Sequence, residues 1–460
     1  MSTSILVFTR DLRVRDNPAL AAAAMADHVV PLFVFDDAIL LGPQGPTLHA
    51  RNATRMAFLL ESLHDLDASL RQRGGRLVTR RGNWAHAVVD VAVRAGAERI
   101  HLAQDVSGYA SRRLAALTSL CAQARREVIT HPGVMVSAPG AISPAEPRTS
   151  ESCSPYQVFT PYYRRWLAEP RREEAGTPRR LTVPRGISCD GLPALGSLTG
   201  AWPAPGAPPG GETAGLGRLA SWTGRHLAGY DRARDDLAAD ATSRLSPYLH
   251  FGCLSPRAVA SELGGEPGAE PFVRQLAWRD FFCQLLAARP DAAHRDFRDA
   301  ARRWHDDEDG LAAWRSGQTG FPVVDAAMRQ LTSEGYMPGR ARMIVASFLT
   351  KDLSIDWRAG AGHFTAHLAD ADVACNQLNW QWVAGTGTDT QRHRIFNPTL
   401  QGRRFDPDGD YIRRHVPELD GLGPAEVHDP PPRVRRTRQY PPPVVDHAAA
   451  AAAWRSRHRR

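Results

Sequence analysis

The run Val29-Val30-Pro31-Leu32-Phe33-Val34-Phe35 is a short, dense apolar stretch and reads as a β-strand. Working outward, Ile5–Phe8, Arg76–Thr79, Arg99–Leu102 and Val128–Thr130 read the same way. Helical patterns fall between them, near 18–26, 49–73, 84–96 and 109–126. This β-α alternation implies a parallel, doubly wound five-stranded sheet with helices on both faces. Residues 1–130 are thus expected to form an α/β domain. No G-x-G-x-x-G follows any of these strands, so the usual dinucleotide fingerprint is absent.

At 460 residues the chain is too long for one typical core, so two domains are expected. Residues 131–217 are rich in Pro and Gly with weak periodicity and read as a connecting segment, with an aromatic patch at Tyr156–Trp166. Helical patterns follow at 218–228, 255–262, 271–288, 322–334, 339–353 and 371–383, and eight of the eleven Trp lie beyond position 220. An all-helical, Trp-rich domain over 218–440 is the reading. The rest, 441–460, belongs to an Arg/Ala-rich end that carries eight Arg from Pro430 onward against one acid, Asp446, and reads as a loosely ordered tail.

Apolar content of 43% and charged content of 23% are those of a soluble globular protein. No apolar run reaches membrane-spanning length, and Met1-Ser2-Thr3-Ser4 leads straight into a strand without a signal-peptide pattern, so cytoplasmic residence is expected. The six cysteines are scattered with no C-x-x-C pair, which gives no support to zinc or dithiol chemistry. The net charge is +8, and Lys351 is the sole lysine. An Arg-dominated basic balance raises the prior for a nucleic-acid partner without deciding it.

Four constellations carry chemistry. In Asp372-Val373-Ala374-Cys375-Asn376-Gln377-Leu378-Asn379-Trp380-Gln381-Trp382, helical spacing puts Asp372, Asn376 and Trp380 on one face. Such polar groups are costly in a core unless paired, and they suit a polar aromatic cofactor beside a redox-active indole. Thr242-Ser243-Arg244-Leu245-Ser246-Pro247 offers hydroxyls and a guanidinium before a helix start, suited to a pyrophosphate or to an ordinary cap. Gln275, Trp278, Arg279 and Phe282 form a mixed stripe that suits a lined cavity. Trp304, Trp357 and Trp380 sit in three separate segments, and most Trp residues are packing.

Taken together these segments resemble the DNA photolyases of the photolyase/cryptochrome superfamily, in particular class I cyclobutane pyrimidine dimer photolyases. The resemblance runs from Arg10-Asp11-Leu12-Arg13-Val14-Arg15-Asp16-Asn17-Pro18-Ala19-Leu20 through Pro155-Tyr156-Gln157-Val158-Phe159-Thr160-Pro161 and Thr242–Leu249. It is densest in Trp278-Arg279-Asp280-Phe281, Thr319–Leu331 and Arg340–Lys351. It implies an N-terminal antenna-chromophore domain and FAD folded within the helical domain. The cofactor-binding positions it maps are Tyr230, Thr242, Ser243, Arg244, Leu245, Ser246, Gln275, Arg279, Arg342, Asp370, Asp372 and Asn376. Among these, Arg342 and Asp370 would pair beside the isoalloxazine, and Asn376 would face flavin N5, where an amide supports the reduced ring. Trp380, Trp357 and Trp304 would carry electrons to the flavin. Excited reduced FAD would then donate an electron to a flipped-out pyrimidine dimer and split its cyclobutane bonds. Trp278 and Trp382 match the dimer pocket, Met343 and Arg340 its rim, Gln275 and Arg394 further substrate or DNA positions, and Arg234 a phosphate contact.

The chain departs from that pattern at several positions. Gln275 stands where cyclobutane-dimer enzymes carry Glu and is more typical of relatives acting on (6-4) photoproducts. Pro338-Gly339 replaces a His-Asn, which leaves no (6-4)-type proton donor, and Tyr336 precedes it in place of Trp. Arg392-His393 replaces Pro-Tyr-Phe. Ser107 occupies the position of a folate-binding Glu, whereas Asp105 matches an acid of deazaflavin-binding relatives and Arg51 approaches the same pigment. The expected antenna is 8-hydroxy-5-deazaflavin, with methenyltetrahydrofolate as the alternative. The expected partner is UV-damaged DNA, bound by a monomer with no obligate protein partner and no membrane. The alternative functions are a cryptochrome-like blue-light photoreceptor, or a photolyase with another lesion preference such as (6-4) photoproducts.

Overall fold

The computed structural model describes residues 1–42, 45–46, 52–144, 155–298, 304–391 and 394–457; Arg51 and Arg392-His393 lie outside them. Strands β1 (Thr3–Val7) and β2 (His28–Asp36) are followed by a two-residue antiparallel ladder, β3 (Leu41–Gly42) with β4 (Gly45–Pro46). Strands β5 (Val78–Gly82), β6 (Arg99–Ala103) and β7 (Glu127–His131) complete a five-stranded parallel sheet in the order β5-β2-β1-β6-β7. Ile5 of β1 sits opposite Val30 and Ile100 of its two neighbours.

Why the strand 28–36 is apolar throughout is visible in the packing. Alternate side chains of a strand face opposite ways, and both faces here are covered. Val30, Leu32 and Val34 join Ile5 and Val7 under the helices Trp84–Arg94 and Gly108–Gln123. Phe33 and Phe35 join Leu6 and Phe8 on the other face, with the helix Ala53–Arg71. That second cluster does not stop at the sheet. It runs on through Leu249 and Phe251 to Leu276 and Phe281 of the helix Glu270–Ala288 and to Ala374 and Leu378 of the helix Val373–Ala384.

The opening motif builds the seam between the two halves. Asn17 caps the helix Pro18–Ala23 by accepting from the Leu20 N–H at 3.0 Å, with Pro18 ready-made for the first turn. Arg13, fully buried, donates to the carbonyls of Gly252 (2.9 Å), Asp16 (2.9 Å) and Gly133 (2.9 Å), so its desolvation is offset by three directed bonds. Glu212 accepts from the N–H groups of Val14 (2.8 Å) and Arg15 (3.0 Å). The Pro-rich segment after the helix Phe159–Ala168 runs back along the sheet, where Val29 donates to Thr182 (2.9 Å) and Thr79 to Gly191 (2.7 Å).

The helices read from periodicity at 218–228 and 255–262 correspond to Glu212–His226 and Pro256–Leu263. Those at 271–288, 322–334 and 371–383 correspond to Glu270–Ala288, Pro322–Glu334 and Val373–Ala384. The 339–353 pattern is Gly339–Ser347 running into a π-helical turn, Phe348–Asp352. Several elements differ from expectation, and two of them have a clear cause. Trp357–His367 is a helix although Gly360 and Gly362 disfavour one by about 1 kcal/mol each. The expected loose tail is instead the helix His447–Arg457, docked by buried Trp454 and Ala451. His447 bonds Asp352, and Arg457 donates to Ser354 at 2.8 Å. Its alanine run is strong helix former rather than low-complexity filler.

Candidate cofactor and nucleic-acid site

The loop Thr242–Leu245 is held by its carbonyl side. Arg218 donates to the carbonyls of Ser243 (2.9 Å) and Thr242 (3.3 Å), and the Trp222 indole N–H donates to Ala241 (2.9 Å). Arg244 adopts a left-handed φ of 54°, and its guanidinium pairs with Asp240 (2.8 Å) and Glu334 (2.7 Å), so it is committed to protein carboxylates. Thr242 Oγ1 lies 2.8 Å from the Tyr336 hydroxyl. The side chain of Leu245 is buried, leaving it only backbone to offer a ligand. The short helix Ser246–His250 that follows has no side-chain cap. Tyr230 packs edge-on to Trp222 (5.4 Å) and Phe272 (5.8 Å).

Ion pairs line the next layer. Arg342 donates to Asp370 at 2.9 Å and to the Met337 carbonyl at 2.8 Å. Burial works against the Asp370 charge, but Arg342 outweighs it and holds the carboxyl below the usual range. Asp372 caps the helix Val373–Ala384 by accepting from the Cys375 N–H at 3.0 Å, and pairs with Arg10. Arg10 also lies 3.4 Å from Asp105 and donates to the His250 carbonyl at 3.0 Å. Burial opposes ionisation of Asp372 too, yet Arg10 and neighbouring groups hold it well below the carboxylate range. His250, with Nδ1 3.8 Å from Asp372, is pushed down to about 4 by burial and stays neutral at pH 7. Arg279 is buried and donates to the carbonyls of Val134 (2.6 Å) and Leu249 (3.2 Å).

The helix Val373–Ala384 sends two further expected groups toward the helix Trp357–His367. The Asn376 amide N–H donates to the Ala361 carbonyl (3.0 Å) and to Thr365 Oγ1 (3.2 Å), leaving its carbonyl oxygen as the free end. The Trp380 ring lies on Gly360, where a Cβ would meet it at 2.2 Å. Gly360 is one turn on from Trp357, so the missing side chain brings Trp380 against the helix that carries Trp357. Trp304, Trp357 and Trp380 share one apolar cluster. Trp380 also meets Trp314, 6.0 Å away in edge-to-face geometry. The shared face expected for Asp372, Asn376 and Trp380 therefore splits: Asp372 turns to Arg10, the other two to the neighbouring helix.

The nucleic-acid side is an aromatic corner. Trp278 and Trp382 meet edge-to-face at 5.1 Å, and Phe159 stacks on Trp278 at 3.7 Å. Gln275, one turn from Trp278, is exposed and reaches only its own helix, at the Pro271 carbonyl (3.5 Å). Met343 is partly buried against the Trp380 cluster. Arg340 pairs with Asp235 (2.6 Å) and lies over the Phe405 ring. Arg234 pairs with Asp231 (3.3 Å), and Arg394 is exposed. At the antenna side, Ser107 is used as a helix cap, accepting from the Ala110 N–H at 3.2 Å.

The donor set fits a flavin dinucleotide. Hydroxyls at 242–246 and the start of the helix Ser246–His250, which no side chain caps, suit a pyrophosphate, while paired Arg and Asp groups suit a polar ring system. Buried polar atoms are ordinarily satisfied, yet His250 Nδ1, Gln377 Oε1 and Trp380 Nε1 have no hydrogen-bond partner among the described residues. Arg10, His250, Tyr336 and Trp314 belong to this site and were not singled out from sequence. For Arg10 the signal was its place just beyond the carboxyl end of β1, where open α/β sheets bind ligands.

Fold and site together define a flavin-binding α/β-plus-helical protein. Residues 4–180 match the family described as DNA photolyase, and 272–460 match the FAD binding domain of DNA photolyase. A deoxyribodipyrimidine photo-lyase of Streptomyces griseus is 49% identical, the match covering 99% of this chain and 98% of that protein. The structure of a bacterial class III photolyase from Agrobacterium tumefaciens superposes with TM-score 0.86 at 34% identity, covering 99% of this chain and 97% of that one. A Synechocystis cryptochrome superposes with TM-score 0.90 at 28% identity, covering 99% of both chains. The chain belongs to the DNA photolyase family. No helix among the described residues is long and apolar enough to cross a membrane.

Proposed function

We propose that this protein is a light-dependent DNA repair enzyme, a deoxyribodipyrimidine photo-lyase that splits cyclobutane pyrimidine dimers. The observation that carries the reading is the run Asn376–Trp382, which joins an amide, a buried indole and an aromatic corner within two helical turns. The chemistry that bound FAD supplies is one-electron donation from its light-excited reduced state to the dimer, with return of the electron after the ring opens.

The chain's own residues do the rest. Thr242, Ser243 and Ser246 with the backbone N–H groups around them would hold the phosphates. Arg342 and Asp370 would orient the polar edge of the ring, and the Asn376 carbonyl oxygen would accept from a ring N–H. Trp278 and Trp382 would line the pocket for two linked pyrimidines turned out of one strand. Arg234, Arg340 and Arg394 would meet backbone phosphates. Trp380, Trp357 and Trp304 form the electron path to the flavin. On the antenna side, Asp105 with Arg10 favours 8-hydroxy-5-deazaflavin over methenyltetrahydrofolate. The protein would act as a monomer.

A second reading, a cryptochrome-like photoreceptor, is favoured by Gln275 and by Pro338 at the uncapped start of the helix Gly339–Ser347; repair of (6-4) photoproducts is favoured by Gln275 alone, since Pro338 supplies no proton donor. Illuminated repair of defined cyclobutane-dimer and (6-4) oligonucleotides by the reduced protein separates them. Turnover of the cyclobutane substrate alone is expected. Failure on both substrates overturns the repair reading.

A further inference from the structure

Trp357 is completely buried, and its indole N–H does not end in the apolar cluster around it. It donates to Asp296 Oδ1 at 2.9 Å. The same oxygen accepts from Arg358 at 2.9 Å. Arg358 is in turn anchored by both oxygens of Asp356, each at 3.1 Å, and by the His294 carbonyl at 2.7 Å. Its guanidinium carbon sits 4.7 Å from the centre of the Trp357 ring. Trp314 is equally buried but donates to a backbone carbonyl, that of Val345, at 3.1 Å. Trp380 Nε1 has no hydrogen-bond partner among the described residues. Of these three indoles, Trp357 is the one bonded to a group that can take a proton.

That arrangement has a consequence once Trp357 loses an electron. An indole radical cation is a far stronger acid than indole, and its acidic proton is the one on Nε1. A fixed positive charge close to the ring makes a cation there unfavourable, the same attraction between guanidinium and neutral ring turned to repulsion. A carboxylate at hydrogen-bond distance is the geometry a proton acceptor requires.

We infer that Asp296 is the proton acceptor of Trp357, which makes the middle station of the electron path a proton-coupled one; this rests on the electron path proposed above. The step balances as follows. With FAD bound, Trp380 would give an electron to the light-excited oxidised ring, and Trp357 would refill Trp380. The Nε1–H bond of Trp357 breaks and an O–H bond forms on Asp296, leaving a neutral indolyl radical beside a neutral carboxylic acid. Arg358 keeps Asp356 as counter-charge, so it is not stranded when Asp296 is neutralised. A neutral radical no longer pulls the electron back electrostatically, so the separated state lives longer. Asp296 therefore makes Trp357 a holding point and slows back-transfer.

The experiment is flash photolysis of the FAD-loaded protein in a Trp304→Phe background, which stops the hole at Trp357. Transient absorption and EPR then tell the neutral indolyl radical from the radical cation. A neutral radical, formed more slowly in D2O, is expected. Adding Asp296→Asn keeps an acceptor for the indole N–H but no base. The radical should then stay cationic, and recombination should run about tenfold faster. Asp296→Glu should restore the neutral radical. The indole proton resonance of Trp357 in the unilluminated protein should move on Asp296→Asn, which reads the hydrogen bond independently of light. The same neutral radical with the same lifetime in Asp296→Asn would overturn the role of Asp296 while leaving the path intact. No Trp357 radical of either kind in the Trp304→Phe parent would overturn the path, and the role of Asp296 with it.

Discussion

Arg10, beyond the carboxyl end of β1, and Asp372, capping the helix Val373–Ala384, form a largely buried ion pair 362 residues apart in sequence. Both lose hydration, and Asp105 and the His250 carbonyl take up the remaining donors of Arg10. Removing one partner strands the other, which costs about 3–5 kcal/mol. Arg10→Gln is therefore expected to lower unfolding free energy by that order in urea titration and to loosen bound FAD. A change below about 1 kcal/mol would mean the pair contributes little net stability.

Gly360→Ala tests how closely Trp380 must approach. The added methyl would meet the ring at 2.2 Å. Overpacking of this kind costs about 1–3 kcal/mol, partly offset by the helix preference of Ala. Photoreduction of oxidised FAD should slow as the indole is displaced. Trp380→Phe should slow it more, while repair by protein reduced beforehand continues. Unchanged photoreduction in Trp380→Phe rules this path out.

Stability should fall as pH drops from about 6.5 toward 4. Burial lowers His101 and His250 to about 4 and His363 to about 3, so the unfolded chain binds protons there that the native one does not. Asp280, raised to about 6 by burial, acts in the opposite direction by one proton. These four groups alone give a slope near pH 5 on the order of 2–3 kcal/mol per pH unit. In His363→Gln that slope should shrink by about 1.4 kcal/mol per unit, as measured by urea titration at several pH values. An unaltered slope means His363 is protonated in the native state.

Damaged-DNA affinity should weaken steeply with salt, since cationic groups displace counterions from phosphates. Arg394 is exposed, whereas Arg234 and Arg340 are held by Asp231 and Asp235. Arg394→Ala should reduce the slope of log K against log salt by about 1 and weaken all sequences alike. A salt-independent affinity would contradict phosphate contact at this face.

Trp454→Ala should cost about 3–5 kcal/mol, because the indole is buried against the turn Phe348–Asp352 rather than left in a solvated tail. Thermal unfolding reads this directly, and an unchanged Tm would return the tail to the loose state first expected.

Much of the fold was readable because the central strands β1 and β2 are short apolar runs and apolar stretches alternate regularly with helical ones. The exceptions share a cause. Gly360 lowers local helix propensity and is paid back only by Trp380, which arrives from another helix. The alanine run at 448–453 looks like filler until Trp454 finds its seat. In the site, Asn376, Trp380 and the 242–246 loop stood out because polar or aromatic residues sit where a core would be aliphatic. Asp296, His250 and Tyr336 did not, since each takes its meaning from a partner on a distant segment.

The apolar cluster that runs from the sheet into the helix Glu270–Ala288 has one more implication. A fragment ending after β7 would carry Leu6, Phe8, Phe33 and Phe35 on a face whose cover is incomplete, and such a surface invites aggregation. The α/β half is thus not a cartridge that can be exchanged between proteins. Any chimera must transplant the strands together with the helical residues that roof them, or redesign both at once.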